Sequence, residues 1–80
     1  MNVAELQALF DAEQIDPDSY SLDGGTPTEA YVLEQMPSGW AVYYAERGLR
    51  TAEMAFESES EACDQLRTLV LSDPTTRRFR

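Results

Sequence analysis

The sequence predicts a small α+β domain: a helix, a three-stranded antiparallel meander and a second helix, with both helices packed on one face of the sheet. Two observations support this prediction. First, residues 29–57 contain three short runs rich in aromatic and β-branched residues, separated by turns with proline or glycine, which is the pattern of antiparallel hairpins. Second, a helix-capping signal flanks these runs on each side.

The length of the chain predicts a single domain, residues 1–80. A domain of this size buries only about 60% of the surface that its unfolded chain exposes, so a deep substrate pocket is not expected. No apolar run approaches the roughly 18 residues needed to span a membrane. The first residues also lack the basic region of a signal peptide. We therefore expect a cytoplasmic protein.

Asn2 marks the start of the first helix, because it can cap the helix N-terminus and Glu5 stands three residues later in the capping-box position. The helix is expected to end near residues 14–15, since Pro17 disfavours helical backbone at Asp16. The apolar residues of one helical face are Val3, Leu6, Leu9 and Phe10.

Residues 16–28 are predicted to be an irregular loop, because they contain two prolines, two glycines and three aspartates. Tyr20 and Leu22 would point in the same direction if this loop is extended. We favour the interpretation that both side chains pack the loop against the edge of the sheet. The alternative is that Tyr20 is exposed and contacts a partner.

The alternation of side chains along the strands predicts the two faces of the sheet. A two- or four-residue first loop brings Leu33 near Val42, and an odd-length second loop brings Val42 near Met54. The predicted core face consists of Tyr31, Leu33, Trp40, Val42, Tyr44, Met54 and Phe56. The other face is expected to be exposed to solvent. Its residues are Val32, Glu34, Tyr43, Glu53 and Glu57.

The second helix begins after Ser58, which can cap it, with Glu61 in the capping-box position. It is expected to end at Ser72, because Pro74 follows closely. Its apolar face consists of Ala62, Cys63, Leu66, Leu69 and Val70. Residues 75–80 form a basic tail, which we expect to be mobile and not folded back on the acidic half of the chain.

The negative charge of the chain is concentrated in its first half. Residues 1–46 contain nine acidic residues and no basic residue, whereas residues 47–80 contain six of each. Such a field repels nucleic acid and anionic membranes, and it speeds the encounter with a basic protein. An acidic composition is also common among soluble proteins, so charge alone does not separate a binding role from simple solubility.

The composition argues against catalysis. The chain has no histidine and no lysine, which removes the usual general bases, Schiff-base nucleophiles and imidazole metal ligands. Cys63 is the only cysteine and is expected to be a core residue of the second helix. The one cluster of carboxylates, Asp16, Asp18 and Asp23, lacks the glycine and terminal glutamate of an EF-hand loop and is explained by turn formation. We expect no enzyme activity, no catalytic residue, no cofactor and no metal site.

Five stretches resemble a family of small bacterial immunity proteins, which are made beside secreted polymorphic toxins and neutralise them. These stretches are YSLDGG at 20–25, EAYVLE at 29–34, WAVYYAERG at 40–48, FESESEAC at 56–63 and DPTT at 73–76. The similarity extends over residues 18–76. It implies a cognate toxin domain as the partner, delivered by contact-dependent or other secretion. The expected toxin is a NAD glycohydrolase, with a nuclease as the second choice.

The predicted interface combines the acidic half of the chain with the exposed face of the sheet. Its carboxylates would occupy sites meant for substrate phosphates in a basic cleft, Tyr43 would be the aromatic contact, and Arg47 would reach into the cleft from a hairpin tip. The predicted contacts are Asp16, Asp18, Asp23, Glu34, Tyr43, Glu46 and Arg47.

Other interpretations of the same features stay open. Gly48 beside Arg47 can equally be a residue required only for a positive-φ turn. The acidic surface would also suit a regulator that mimics nucleic acid, or an accessory subunit of a neighbouring enzyme. The sequence leaves the oligomeric state open and favours a monomer.

Overall fold

The computed structural model describes residues 1–77, and this part of the chain has the predicted α+β architecture. It contains two α-helices and one mixed sheet with the strand order β1-β2-β3-β4. The helices are α1 (Val3–Ala12) and α2 (Glu59–Ser72), and the strands are β1 (Tyr20–Ser21), β2 (Glu29–Met36), β3 (Gly39–Glu46) and β4 (Leu49–Phe56). Short 3₁₀ turns span Pro17–Ser19 and Pro74–Thr76. Neither helix within residues 1–77 is long and apolar enough to cross a membrane.

The predicted number of strands is wrong, because the loop before β2 contributes a fourth strand. The predicted meander corresponds to β2, β3 and β4, and β1 lies parallel to β2 with Tyr20 beside Tyr31. Strand β1 has only two residues, which is too few for an alternating pattern of apolar and polar residues to reveal it in the sequence. Tyr20 holds β1 in place, since its ring packs against Phe10 at 4.7 Å between centroids and its hydroxyl accepts a hydrogen bond from Gln7 at 2.8 Å. The packing interpretation of Tyr20 is therefore confirmed.

The register between β2 and β3 is as predicted. The two residues 37–38 connect these strands, and Leu33 stands opposite Val42. The predicted odd-length loop between β3 and β4 is wrong, because residues 47–48 also form a two-residue connection. Both of these residues have positive φ, as a type I′ hairpin turn requires.

A β-bulge restores the expected pairing between β3 and β4. Ala52 and Glu53 together stand opposite Tyr43, and this extra residue brings Met54 opposite Val42. Ala52 adopts a left-handed backbone with φ of 54°. The bulge therefore shifts β4 by one residue relative to β3, which is the shift that an odd-length loop was predicted to produce.

The ends of α1 show how local signals act. Asn2 accepts a hydrogen bond from the Glu5 backbone at 2.8 Å, and the Glu5 side chain accepts one from Asn2 at 2.9 Å, so the capping box is confirmed. The helix ends at Ala12, earlier than expected, because Gln14 turns the chain with φ of 58°. Ile15 then enters the core.

The main core lies between the two helices and one face of the sheet, as predicted. Its buried residues are Leu6, Phe10, Ile15, Leu33, Val42, Ala62, Cys63, Leu66 and Val70. Trp40 and Phe56 are half-buried at its border. Met54 was expected in the core but is 46% exposed, because it lies on the edge strand β4.

The opposite face of the sheet is buried over β2 and β3, contrary to the prediction for Val32 and Tyr43, whereas Glu53 and Glu57 are exposed as predicted. Val32, Ala41, Tyr43 and Ala45 form a second buried cluster there. The loop before β2 contacts this face, since the Tyr43 hydroxyl donates a 2.7 Å hydrogen bond to the Gly25 carbonyl oxygen. A loop and polar side chains therefore bury this face without a helix.

Residues 75–77 contact the body of the domain, which corrects the expectation that this part of the tail is mobile. Thr76 is buried, and its hydroxyl lies 2.8 Å from the Val70 carbonyl oxygen. Arg77 forms a 2.8 Å ion pair with Glu13 and pairs with Ile15 in an isolated β-bridge. These contacts hold the segment against the end of α1. The prediction for residues 78–80 lies outside the described residues.

Candidate protein-binding surface

An acidic cleft lies where two Asp-Pro turns meet. Asp16 and Asp73 each precede a proline, and each carboxylate accepts a 2.9 Å hydrogen bond from the backbone N–H two residues later. This arrangement is the usual reason that aspartate begins a turn. The Asp16 backbone N–H donates to the Thr76 carbonyl at 2.7 Å, which joins the two turns. Segments from opposite ends of the chain thus meet at one place.

The cleft has a volume of about 280 Å³. Its lining residues are Asp16, Asp18, Ser19, Glu29, Tyr31, Tyr44, Asp73, Thr75 and Thr76. Four of these residues carry carboxylates and none is basic. Small-molecule sites usually measure about 300–1,000 Å³, so this cleft suits a side chain of a partner better than a drug-sized ligand.

Two tyrosines form one wall of the cleft. The rings of Tyr31 and Tyr44 meet edge to face with 4.9 Å between centroids, and the Tyr31 hydroxyl donates to Asp73 at 2.8 Å. Burial, together with this hydrogen bond, raises the pKa of Tyr31 to about 12. The hydroxyl and backbone N–H of Thr75, and then Tyr31, lower the pKa of Asp73. At neutral pH the wall therefore combines neutral phenols with a charged carboxylate.

The sheet ladder adds a further negative charge at the rim of the cleft. Glu29 at the start of β2 stands directly opposite Glu46 at the end of β3. Both side chains are exposed, and neither forms a salt bridge within residues 1–77. Like charges at directly opposed positions destabilise a sheet. A cationic side chain of a partner that binds between Glu29 and Glu46 would therefore relieve the repulsion between these two carboxylates.

Two predicted contact residues, Glu34 and Tyr43, are brought together on the opposite face of the sheet, but as part of the fold. The Tyr43 hydroxyl lies 2.9 Å from Glu34, and Arg50 forms a 2.8 Å ion pair with Glu34. The Arg50 guanidinium also lies over the Tyr43 ring, 4.3 Å from its centroid. Burial and the Glu34 hydrogen bond raise the pKa of Tyr43 to about 12. Tyr43 is 0% exposed, so its predicted role as an aromatic contact is wrong.

The other predicted contacts lie at separate places. Asp16 and Asp18 line the acidic cleft, whereas Asp23 is exposed beside Ser21, whose hydroxyl donates to it at 2.9 Å. Asp23 does not line that cleft, so the three aspartates do not form one cluster. Arg47 is exposed at the β3–β4 turn with φ of 53° and forms no salt bridge within residues 1–77.

Sequence reasoning missed seven of the nine residues that line the cleft, including its two tyrosines and the acidic residues Glu29 and Asp73. Alternation placed the two tyrosines in the core, and they do lie on the helix-covered face, but at the end of the sheet where the helices no longer cover it. The repeat of Asp-Pro at positions 16 and 73 was the available signal. It indicates two similar turns, although it does not show that they touch.

No metal site is formed within residues 1–77, since no three His, Cys, Asp or Glu side chains there lie close enough to hold an ion. Cys63 is fully buried, and this burial raises the pKa of its thiol, as fits a core residue. The expected lack of enzyme activity stays a prediction.

Comparison of the chain with protein-family models, with characterised proteins and with solved structures finds no significant match. The resemblance to immunity proteins therefore stays a prediction, and the surface itself must carry the functional argument.

Proposed function

We propose that this protein is an immunity protein that binds a cognate bacterial toxin and blocks the basic active-site cleft of that toxin. The acidic cleft between the two Asp-Pro turns is the observation that supports the proposal most. None of its four carboxylates forms a salt bridge within residues 1–77, and Asp16, Asp18 and Glu29 also lack the tyrosine hydrogen bond that Asp73 accepts. They are available for the cations of a partner.

The chemistry of the cleft suits an arginine or lysine side chain. A guanidinium has five N–H donors and no acceptor, so a ring of carboxylates can satisfy several of its donors at once. The faces of Tyr31 and Tyr44 add cation–π attraction where they border the cleft. Toxins that act on NAD or nucleic acid hold phosphates with such basic side chains. The cleft carboxylates would take the place of those phosphates.

The distribution of charge also supports a fast encounter with a basic partner. The net charge of −9 equals the excess of acidic residues in residues 1–46, which include Asp16, Asp18, Glu29 and Glu46. Electrostatic steering raises the association rate, and salt screens it. We expect the association rate to fall steeply with ionic strength while the dissociation rate changes less.

The first experiment is to express the toxin domain encoded beside this gene, with and without this protein, and to score cell survival and co-purification. The proposal expects survival and a stable complex. Equal killing in both cultures, together with failure to co-purify, would show that the immunity function is wrong.

A pair of matched triple variants tests the cleft. Asp16→Asn/Asp18→Asn/Glu29→Gln removes three cleft charges, whereas Asp11→Asn/Asp64→Asn/Glu57→Gln removes three exposed charges elsewhere. Asparagine can still cap the turn at position 16. If the three charges are buried against cations, the cleft variant should weaken binding by at least about 2–5 kcal/mol. Equal effects of the two triple variants would show that another surface binds the toxin.

A further inference from the structure

Strand β4 is unlike the rest of the sheet because it is open to solvent along almost its whole length. Seven of its eight residues are exposed, and it forms one edge of the sheet in residues 1–77. It also carries both large hydrophobic side chains that are exposed in this part of the chain, Leu49 at 67% and Met54 at 46%. Natural proteins usually shorten, cover or charge such edges.

The bulge arranges the side chains of β4 in a specific way. Leu49 and Met54 both lie on the helix-covered face, although they are five positions apart, because the extra residue at 52–53 reverses the alternation. For the same reason Arg50 and Glu53 share the opposite face. One face of the edge therefore presents two apolar side chains. The other face carries Arg50 and Glu53, which already pair with each other at 3.4 Å within one chain, while Arg50 also pairs with Glu34 at 2.8 Å.

We propose that β4 pairs antiparallel with β4 of a second copy of this chain, so that two four-stranded sheets become one continuous sheet. The two-fold axis would stand perpendicular to the sheet, which keeps the helices of both copies on the same side. Placing Leu49 opposite the second copy's Met54 places Arg50 opposite the second copy's Glu53 in the same register. Symmetry repeats both pairs.

The register is restricted by the faces of the strand. A shift by one residue would place Leu49 opposite a side chain on the other face of the sheet, so the apolar pair would be lost. The bulge lies next to the two-fold axis in the proposed register, and the flanks 49–50 and 53–54 pair on either side of it. Ion pairs and apolar contacts at directly opposed positions each stabilise antiparallel strands.

The charge of β4 favours a second copy over a basic partner as the occupant. The strand contains one arginine and one glutamate and is neutral, unlike the chain as a whole, which carries −9. A basic strand would find no excess of negative charge here. Two copies do repel each other through their net charge, so salt should strengthen this pairing by screening. The proposed toxin binding has the opposite salt dependence, and the two proposals can therefore fail independently.

Sedimentation equilibrium of the full chain tests the proposal over a wide range of protein concentration, at low salt and at several times physiological ionic strength. We expect a monomer–dimer equilibrium in which the dimer fraction rises with salt. A protein that stays monomeric at near-millimolar concentration in high salt would overturn the proposal.

A charge placed on the edge should separate the pairing from general association. Met54→Lys removes an apolar contact and adds a charge, and because the substitution occurs twice in a symmetric dimer it should weaken dimerisation by about a hundredfold. Ala8→Lys adds the same charge on the exposed surface of α1 and should leave dimerisation unchanged or slightly strengthened. Equal dimerisation of the two variants would refute the β4 interface.

Disulfide trapping tests the register. In Leu49→Cys/Met54→Cys the introduced thiols meet across the axis, since directly opposed Cα atoms lie about 4.5–5.5 Å apart in antiparallel strands and disulfides span about 4.4–6.8 Å. In Leu49→Cys/Ala55→Cys they lie on different faces. The buried Cys63 does not compete. We expect oxidation to yield a covalent dimer of the first variant alone, and any other result of the oxidation overturns the proposal. The proposal is also overturned if the protein is a monomer and Met54→Lys abolishes its binding to a partner protein, because β4 would then bind that partner and not a second copy.

Discussion

The two faces of the sheet are both buried over β2 and β3, but by different means. On the helix-covered face, apolar side chains such as Phe10 and Leu66 pack against Leu33 and Val42, and each has no exposed surface. On the opposite face, Tyr43 is equally buried, but it lies under a loop and the Arg50 guanidinium. The first face is stabilised by apolar packing, and the second adds a polar network.

The comparison shows that a small domain with only two helices can bury the central strands β2 and β3 on both sides. Two of the four buried residues on the opposite face are alanines, and the Arg50 side chain and the Gly25 carbonyl contact Tyr43 there. Apolar packing loses stability when side-chain volume is removed, whereas a polar network loses stability when a hydrogen-bond donor is removed or deprotonated. Substitutions and pH should therefore change the free energy of unfolding differently on the two faces.

The largest expected effect is on the helix-covered face. Leu66→Ala should lower the free energy of unfolding by about 2–5 kcal/mol, because it leaves a cavity between α2 and the sheet. Urea denaturation followed by circular dichroism measures this change. An 80-residue domain has a total free energy of unfolding of about 4–12 kcal/mol, so the loss would be a large fraction of its stability. A loss below the effect of Tyr43→Phe would show that this face is not the main source of stability.

Alkaline pH should weaken the opposite face next. The folded-state pKa of Tyr43 is raised from 10.0 to about 12, so its stabilising contribution is complete below pH 10 and is lost as the pH rises through about 12. The loss for this buried phenol is about 2 kcal/mol. Tyr31 titrates in the same range and acts in the same direction. Phenolate absorbance and unfolding measured together should show this window, and Tyr31→Phe/Tyr43→Phe should flatten it.

Removal of a single hydroxyl should have a smaller effect at neutral pH. Tyr43→Phe keeps the ring beneath Arg50 but leaves the Gly25 carbonyl and the Glu34 carboxylate without the proton that they share. We expect a loss of about 1 kcal/mol. Tyr20→Phe is a useful control, since the Tyr20 hydroxyl bonds to the exposed Gln7 side chain and its removal should cost less. Equal losses would indicate that the network on the opposite face contributes little.

The smallest effect should be a gain at the bulge opposite Tyr43. Ala52 has φ of 54°, a left-handed conformation that is strained for a residue with Cβ. Ala52→Gly should therefore raise the free energy of unfolding by about 0.5–1 kcal/mol. Ala55→Gly, also exposed in β4, should instead lower it, as glycine normally does in a strand. Destabilisation by both substitutions would show that the bulge is not strained.

The elements that depend on nearby residues could be predicted from the amino-acid sequence. Asn2 and Glu5 form the predicted cap of α1, and the two residues 37–38 set the predicted pairing of Leu33 with Val42. The α+β class and the packing of both helices on one face follow from apolar periodicity in the same way. These features could be predicted because caps, turns and alternation act within a few positions along the chain.

The contacts between segments that are distant in the sequence are apparent only in the tertiary structure. Asp16 and Thr76 are 60 positions apart, yet the hydrogen bond between them creates the acidic cleft. The loop before β2 contacts the buried Tyr43 through Gly25, and the bulge at Ala52 turns Leu49 and Met54 to one face of β4. The energy of such contacts depends on which distant residues the fold brings together, and a local sequence pattern does not contain this information.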